Sequence, residues 1–171
     1  MTRCVGPGVK ILAVVKANSY GHGAVGVARA LEQEGCDFFG VASVEEAMEL
    51  RSAGIKASII VLAGIFPPDH GCVVENDLTP LVWSKSQIEG LERAAAASGK
   101  VVPVHLKVDT GMGRLGADEA GLKELAIRVK QSAALRLEGV MSHLSNADGV
   151  DHEVTRRQVA RFRQKIGRAH V

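Results

Sequence analysis

Residues 9–23, VKILAVVKANSYGHG, constrain the fold of this chain more than any other stretch. Ile11-Leu12-Ala13-Val14-Val15 is an unbroken apolar run with no helical period. A short β-branched run closed by a turn cluster predicts a strand buried on both faces, as in parallel sheets. Lys16 stands where the run stops, and Ala17-Asn18-Ser19-Tyr20-Gly21-His22-Gly23 supplies the turn. Because α/β proteins bind ligands at the carboxyl ends of their strands, Lys16 occupies the place of an amine that does chemistry. A lone strand-end lysine ordinarily snorkels to water, so the weight falls on its surroundings.

Beyond that stretch, strand and helix alternate. Gly23 to Glu34 carries Val25, Ala28 and Leu31 on one face and stops at Gly35, which predicts a helix. Phe38 to Ala42 reads as the second strand. Ser43 with Glu46 three residues on predicts a capping box, opening a helix that runs to about Ala53-Gly54. Ile59 to Leu62 is the third strand, closed by Gly64 and Pro67-Pro68. A short helix and a fourth strand, Thr79 to Trp83, follow, then a helix from Ser84 to Ser98. Val101 to Val108 is the fifth strand, with a glycine-rich turn from Asp109 to Gly116. Ala117 to Gln131 is a helix with Leu122, Leu125 and Val129 at core spacing; Leu137 to Met141 is the sixth strand, and Glu153 to Lys165 the last helix. About six βα units in a row predict an α/β fold on a parallel sheet. Periodicity alone leaves open the choice between a (β/α)8 barrel and an open doubly wound sheet.

Composition excludes several classes. A net charge of +2 with mixed signs makes no nucleic-acid surface, and 4% aromatics leaves no stacking platform for single strands. No apolar stretch reaches the ~18 residues of a membrane span, and Met1-Thr2-Arg3-Cys4 lacks the apolar core of a signal peptide. Cys4, Cys36 and Cys72, odd in number and widely spaced, fit reduced thiols in a cytoplasmic protein and no zinc site. Asp148, Asp151, His152 and Glu153 lack metal-ligand spacing. Glu153 is better explained as a first-turn helix carboxylate.

Two further strand ends hold reactive residues: Lys107 to Arg114 at the fifth and His143 after the sixth. The strings K-A-N-S-Y-G-H-G (Lys16 to Gly23), K-V-D-T-G-M-G-R-L-G (Lys107 to Gly116) and M-S-H-L-S around His143 resemble the alanine racemases. The resemblance runs from about Gly6 to about Lys165 and implies the first six units of a TIM-type (β/α)8 barrel that carries pyridoxal 5'-phosphate. It implies that Lys16 is the Schiff-base lysine and the base on one face of the substrate Cα. Tyr20 would bond the cofactor phosphate. Arg114 would bond the phenolic oxygen and help hold the substrate carboxylate, a task suited to a planar fork of fixed charge. His143 would pack against the pyridine ring. Lys107 matches a lysine carbamylated in many members, whose negative charge positions the arginine. The implied reaction interconverts L- and D-alanine and supplies D-alanine for peptidoglycan. In a barrel, Lys16, Arg114 and His143 are expected to share one rim.

Two rivals remain. G-M-G-R-L-G literally satisfies the dinucleotide pattern G-x-G-x-x-G. However, the next strand ends in Ser142-His143 where that scheme expects an acidic residue, and the arginine has no role in it. A regulatory protein that carries pyridoxal phosphate on the same barrel would fit the lysine but not the two long strings.

At 171 residues the chain is shorter than the roughly 250 of a full barrel. The resemblance implies that the opposite-face proton donor, a tyrosine from the C-terminal β-domain of a partner subunit, lies outside it, as does the arginine at the pyridine nitrogen. The parent is thus expected to be a homodimer, and the 171-residue chain by itself inactive and aggregation-prone. Residues 1–165 are expected to form the incomplete barrel domain. Ile166-Gly167-Arg168-Ala169-His170-Val171 breaks the family pattern, resembles a translated sequencing adapter, and is expected to be non-native.

Overall fold

The computed structural model describes residues 5–169 except Pro7. Cys4, Pro7 and the terminal His170-Val171 therefore lie outside the described residues. The chain divides into two compact units, one ending at Pro80 and the other beginning at Leu81.

The first unit contains β1 (Leu12–Val14), the one-turn element α1 (Lys16–Tyr20), α2 (Ala24–Gln33), β2 (Phe38–Val41), α3 (Val44–Ser52), β3 (Ser58–Val61) and α4 (His70–Glu75). It also holds the opening of β4 (Thr79–Val82). β1 pairs with β2 through Leu12↔Phe38, and β2 with β3 through Phe39↔Ile59. Thr79 and Pro80 then pair with Ile60 and Val61. Phe39, Leu50, Ile55, Ile59 and Ile60 are fully buried here, each contributing about 1.5–3 kcal/mol of hydrophobic stabilisation. Arg51 ties the lower loops together. Its guanidinium donates to the carbonyls of Ile55, Ala57, Asn76 and Asp77 at 2.8–3.1 Å.

The second unit continues β4 into α5 (Lys85–Ser98), β5 (Val102–Lys107), α6 (Glu119–Gln131), β6 (Leu135–Met141) and α7 (Glu153–Ala169). Leu81 and Val82 pair with His105 and Leu106, and β5 pairs with β6 from Val102↔Leu135 to Lys107↔Met141. Leu122, Leu125 and Val129 of α6 are buried, as their spacing predicts. Ser84 and Gln87 form a complete capping box at the start of α5.

Every strand pair is parallel and the strand order follows the chain, β1-β2-β3-β4-β5-β6. A doubly wound sheet reverses its order at a switch point. This order never reverses, which is the topology of consecutive units of a (β/α)8 barrel.

Four local expectations differ from the structure. β1 is not buried on both faces: Leu12 and Ala13 are half-buried and Val14 is exposed, while Val15 alone of the run is buried. The strand stands last in the order, with only β2 beside it among the described residues. The Ser43 box is only half formed. Ser43 Oγ accepts from the Glu46 N–H, but the Glu46 carboxylate turns away to other amides. β6 starts two residues earlier than its apolar run, because Val102 of β5 pairs as far back as Leu135. The last helix runs on to Ala169, past the change of pattern at Ile166.

Candidate active site

Lys16 and Tyr20 belong to the first unit; Lys107, Arg114 and His143 belong to the second. Each set sits just beyond, or at, the carboxyl end of a parallel strand.

The backbone after Lys16 turns the wrong way for L-residues. Ala17 (φ 51°, ψ 49°), Asn18 (53°, 45°) and Ser19 (53°, 47°) form a left-handed helical turn, and Tyr20 continues it at φ 53° before Gly21 at 89°. Such a conformation costs roughly 1–2 kcal/mol per residue, least for asparagine, so the surrounding structure must impose it. Several bonds do so. The Ser19 N–H donates to Val15 O at 2.8 Å and the Gly23 N–H to Asn18 O at 3.0 Å. The Asn18 side chain accepts from the Ala24 N–H at 2.7 Å, tying the turn to the start of α2. Glu46 provides the remaining restraint. One carboxylate oxygen accepts from the Ala17 N–H at 2.8 Å, the other from the Ala42 N–H at 2.7 Å. One side chain on α3 thus clamps the ends of β1 and β2. Within this frame Lys16 is half-buried, Ser19 buried, and Tyr20 62% exposed.

In the second unit Lys107, the last residue of β5, is 7% exposed. Burial pushes its amine below the usual lysine range, the neighbouring Arg114 cation pushes the same way, and Asp109 opposes both. The loop beyond it closes on itself. Ala117 donates to Lys107 O at 2.9 Å and accepts from the Asp109 N–H at 3.0 Å. Gly116 (φ 132°) allows that approach, since a Cβ there would lie 2.6 Å from Asp109 N. Asp109 shapes the rest: its carboxylate accepts from the N–H groups of Gly111, Met112 and Gly113, each at 2.8 Å. Arg114 follows, exposed.

That geometry removes the dinucleotide reading. The glycine-turn amides that would cradle a pyrophosphate already face the Asp109 carboxylate. The following helix has its own N-cap as well, Asp118 accepting from the Gly121 N–H at 2.8 Å.

His143 lies exposed two residues past β6. Thr110 Oγ1 meets Ser142 Oγ at 2.7 Å, so the loops after β5 and β6 touch directly. Gln158 of α7 reaches the same place, donating to Thr110 Oγ1 and to His143 O. Asp151 caps the start of α7 by accepting from the Glu153 N–H at 2.9 Å, a structural task for a residue of the acidic cluster. Among the described residues no group of three or more His, Cys, Asp or Glu side chains gathers as metal ligands.

Sequence reasoning singled out Lys16, Tyr20, Lys107, Arg114 and His143, and missed Glu46, Asp109 and Gln158 as supports. Asp109, directly before a glycine turn, carried a readable Asx-turn signal. Glu46 was noticed for the wrong bond, and Gln158 carried no signal. In chemical terms the first unit presents an amine and a phenol, and the second a guanidinium and an imidazole. An amine can hold an aldehyde, and a phenol or a guanidinium can bond anionic oxygens.

Comparison with known proteins identifies the family. The family model described as alanine racemase, N-terminal domain, matches residues 1–170. Alanine racemase 2 of Caldanaerobacter subterraneus subsp. tengcongensis is 41% identical over 167 residues, covering 97% of this chain and 43% of its own length. The alanine racemase of Thermodesulfovibrio yellowstonii is 45% identical over 153 residues, covering 90% and 40%. Among solved structures, alanine racemase from Clostridium difficile 630 superposes with a TM-score of 0.92 at 32% identity, covering 98% of this chain and 44% of that one. The enzyme from D-cycloserine-producing Streptomyces lavendulae gives 0.92 at 35%, covering 98% and 45%. The chain spans less than half the length of these relatives.

Proposed function

The chain belongs to the alanine racemase N-terminal domain family, and on that premise we propose that it is the cofactor-binding part of an enzyme that interconverts L- and D-alanine on pyridoxal phosphate. The observation that carries the reading is the strand-end Lys16, followed by a left-handed turn clamped from Val15, Asn18 and Glu46. An amine on so fixed a base is held for one geometry, as covalent attachment of a cofactor demands.

Bound there, pyridoxal phosphate supplies an electron sink that acidifies the substrate Cα–H. Lys16 Nζ would hold the cofactor aldehyde and carry the proton on one face of Cα. The Tyr20 hydroxyl would donate to the phosphate. Arg114 would pair with the phenolic oxygen and orient the substrate carboxylate, and His143 would lie against the ring. A tyrosine of a partner subunit, outside this chain, serves the opposite face, so the enzyme works as a homodimer. Lys107, buried beside Arg114, adds carbon dioxide through its neutral amine and releases one proton. The resulting carbamate anion then pairs with the arginine. The D-alanine produced serves peptidoglycan synthesis in the cytoplasm.

The test uses the full-length protein. Pyridoxal phosphate is expected to give the visible absorbance of a lysine-bound cofactor, lost in Lys16→Ala, together with D/L interconversion of alanine. Absorbance without turnover would identify a pyridoxal-phosphate-carrying regulatory protein instead. Intact mass under mild conditions is expected to show the carbon dioxide adduct and to lose it in Lys107→Met.

A further inference from the structure

Gln158 is 2% exposed, on a helix whose exposed side is rich in arginine. Its amide uses its full bonding capacity. Nε2 donates to Thr110 Oγ1 at 3.3 Å and to His143 O at 3.1 Å. Oε1 accepts from the Ser145 N–H at 2.9 Å and the Ser145 hydroxyl at 3.0 Å. Two donors and two acceptors on one flat group is what a primary amide offers; a carboxylate lacks the donors and an ammonium the acceptors. The partners are 13 to 48 residues away and lie on the two loops that carry Arg114 and His143. Thr110 is itself 1% exposed and touches Ser142 Oγ at 2.7 Å. One turn further along α7, Arg161 donates to Thr110 O at 3.3 Å.

Resting on the cofactor reading above, we propose that Gln158 is a positioning residue, which fixes the His143 backbone against the Thr110 end of the arginine loop and so sets imidazole and guanidinium in register for one cofactor. A buried group whose whole capacity is used between two loops leaves neither loop free to move alone. Loss of either donor bond should therefore let the ring contact and the phenolic-oxygen contact drift apart. A displacement of about 1 Å can lower productive binding by up to about a hundredfold.

The test compares Gln158→Glu, Thr110→Val and Thr110→Ser in the full-length protein. Gln158→Glu keeps the acceptors and removes both donors. Thr110→Val removes the hydroxyl at nearly constant volume, and Thr110→Ser restores it. The proposal expects the first two to weaken pyridoxal phosphate binding to the apoprotein by roughly ten- to a hundredfold and to shift the pH midpoint of the cofactor's visible absorbance. Thr110→Ser is expected to bind and titrate like the wild type. The double variant is expected to be no worse than the weaker single one, because both cut the same link. Variants that melt earlier but bind the cofactor and titrate as the wild type does would overturn it, leaving Gln158 a packing residue. A Gln158→Glu protein that does not fold leaves the Thr110 pair to decide. A wild-type protein that takes up no pyridoxal phosphate would instead refute the cofactor reading, and this inference with it.

Discussion

Glu46 is the support whose removal has the most readable consequence. Its carboxylate accepts from the Ala17 and Ala42 N–H groups at 2.8 and 2.7 Å. Hydrogen bonds to a charged group contribute about 1.5–3 kcal/mol each. The Ala17 bond is exposed, so water can replace it and the low end applies; the Ala42 bond is part-buried and sits nearer 2 kcal/mol. Glu46 also lies in the first turn of α3, where a negative charge adds about 0.3–1 kcal/mol. Glu46→Ala should therefore cost about 4 kcal/mol locally. Glu46→Gln, which keeps one acceptor but turns an NH2 toward the other amide, should cost about 2 kcal/mol. Native-state hydrogen exchange of the full-length protein reads this directly. In Glu46→Ala the Ala17 amide should exchange about tenfold faster and the Ala42 amide about thirtyfold faster, at 1.4 kcal/mol per tenfold. Val102 and Leu106, in the other unit, should keep their protection. If both alanine amides exchange as in the wild type, the clamp does not hold the turn and the argument for a rigid base under Lys16 fails.

Gly116→Ala, which drives a Cβ to 2.6 Å from Asp109 N and 2.7 Å from Val108 C at φ 132°, should destabilise the arginine loop by about 3 kcal/mol. Gly113→Ala, at φ 71° with nothing within 4 Å, should cost only about 1 kcal/mol; urea midpoints of the full-length pair check the difference. Arg51→Ala, which strips four carbonyls of a shared donor, should cost about 3 kcal/mol, and Arg51→Lys should recover less than half because an ammonium cannot fork. Burial holds the His105 imidazole below the usual histidine range against the opposing pull of Glu138. As pH falls through 6.5 the unfolded chain takes up a proton that the folded chain refuses. Stability should thus decline below pH 6.5 and continue to decline until the folded pKa is passed. His105→Gln should flatten that decline in denaturation midpoints measured from pH 7.5 down to about 5.

The βα rhythm was legible because apolar runs and glycine stops are local signals, and each of the six strands overlaps the run that signals it. The strand-end positions of Lys16, Lys107 and His143 were legible for the same reason. Strand order was not, since periodicity says nothing of which strand lies beside which. Nor was the exposure of β1, which depends on its neighbours and not on its own Ile-Leu-Ala-Val-Val run. Glu46 satisfied a local rule and then disobeyed it, because the amides of Ala17 and Ala42 come within reach only after β1 and β2 have paired. Gln158 bonds to residues as far as 48 positions away, and a polar residue on an arginine-rich helix gives no hint of burial. Supports of this kind follow from tertiary placement, and no sequence window contains them.

The reversed hand of residues 17–20 also governs how that segment can vary. Its backbone is the ordinary habit of a mirror-image amino acid, so an enantiomer introduced at Ala17 by chemical synthesis would sit there without strain. Among encoded residues glycine and asparagine come nearest to that comfort, and valine, isoleucine and threonine are furthest from it. Substitution at Ala17, Asn18 and Ser19 is accordingly channelled toward small or carboxamide side chains, on a stretch where helix propensity would advise the opposite.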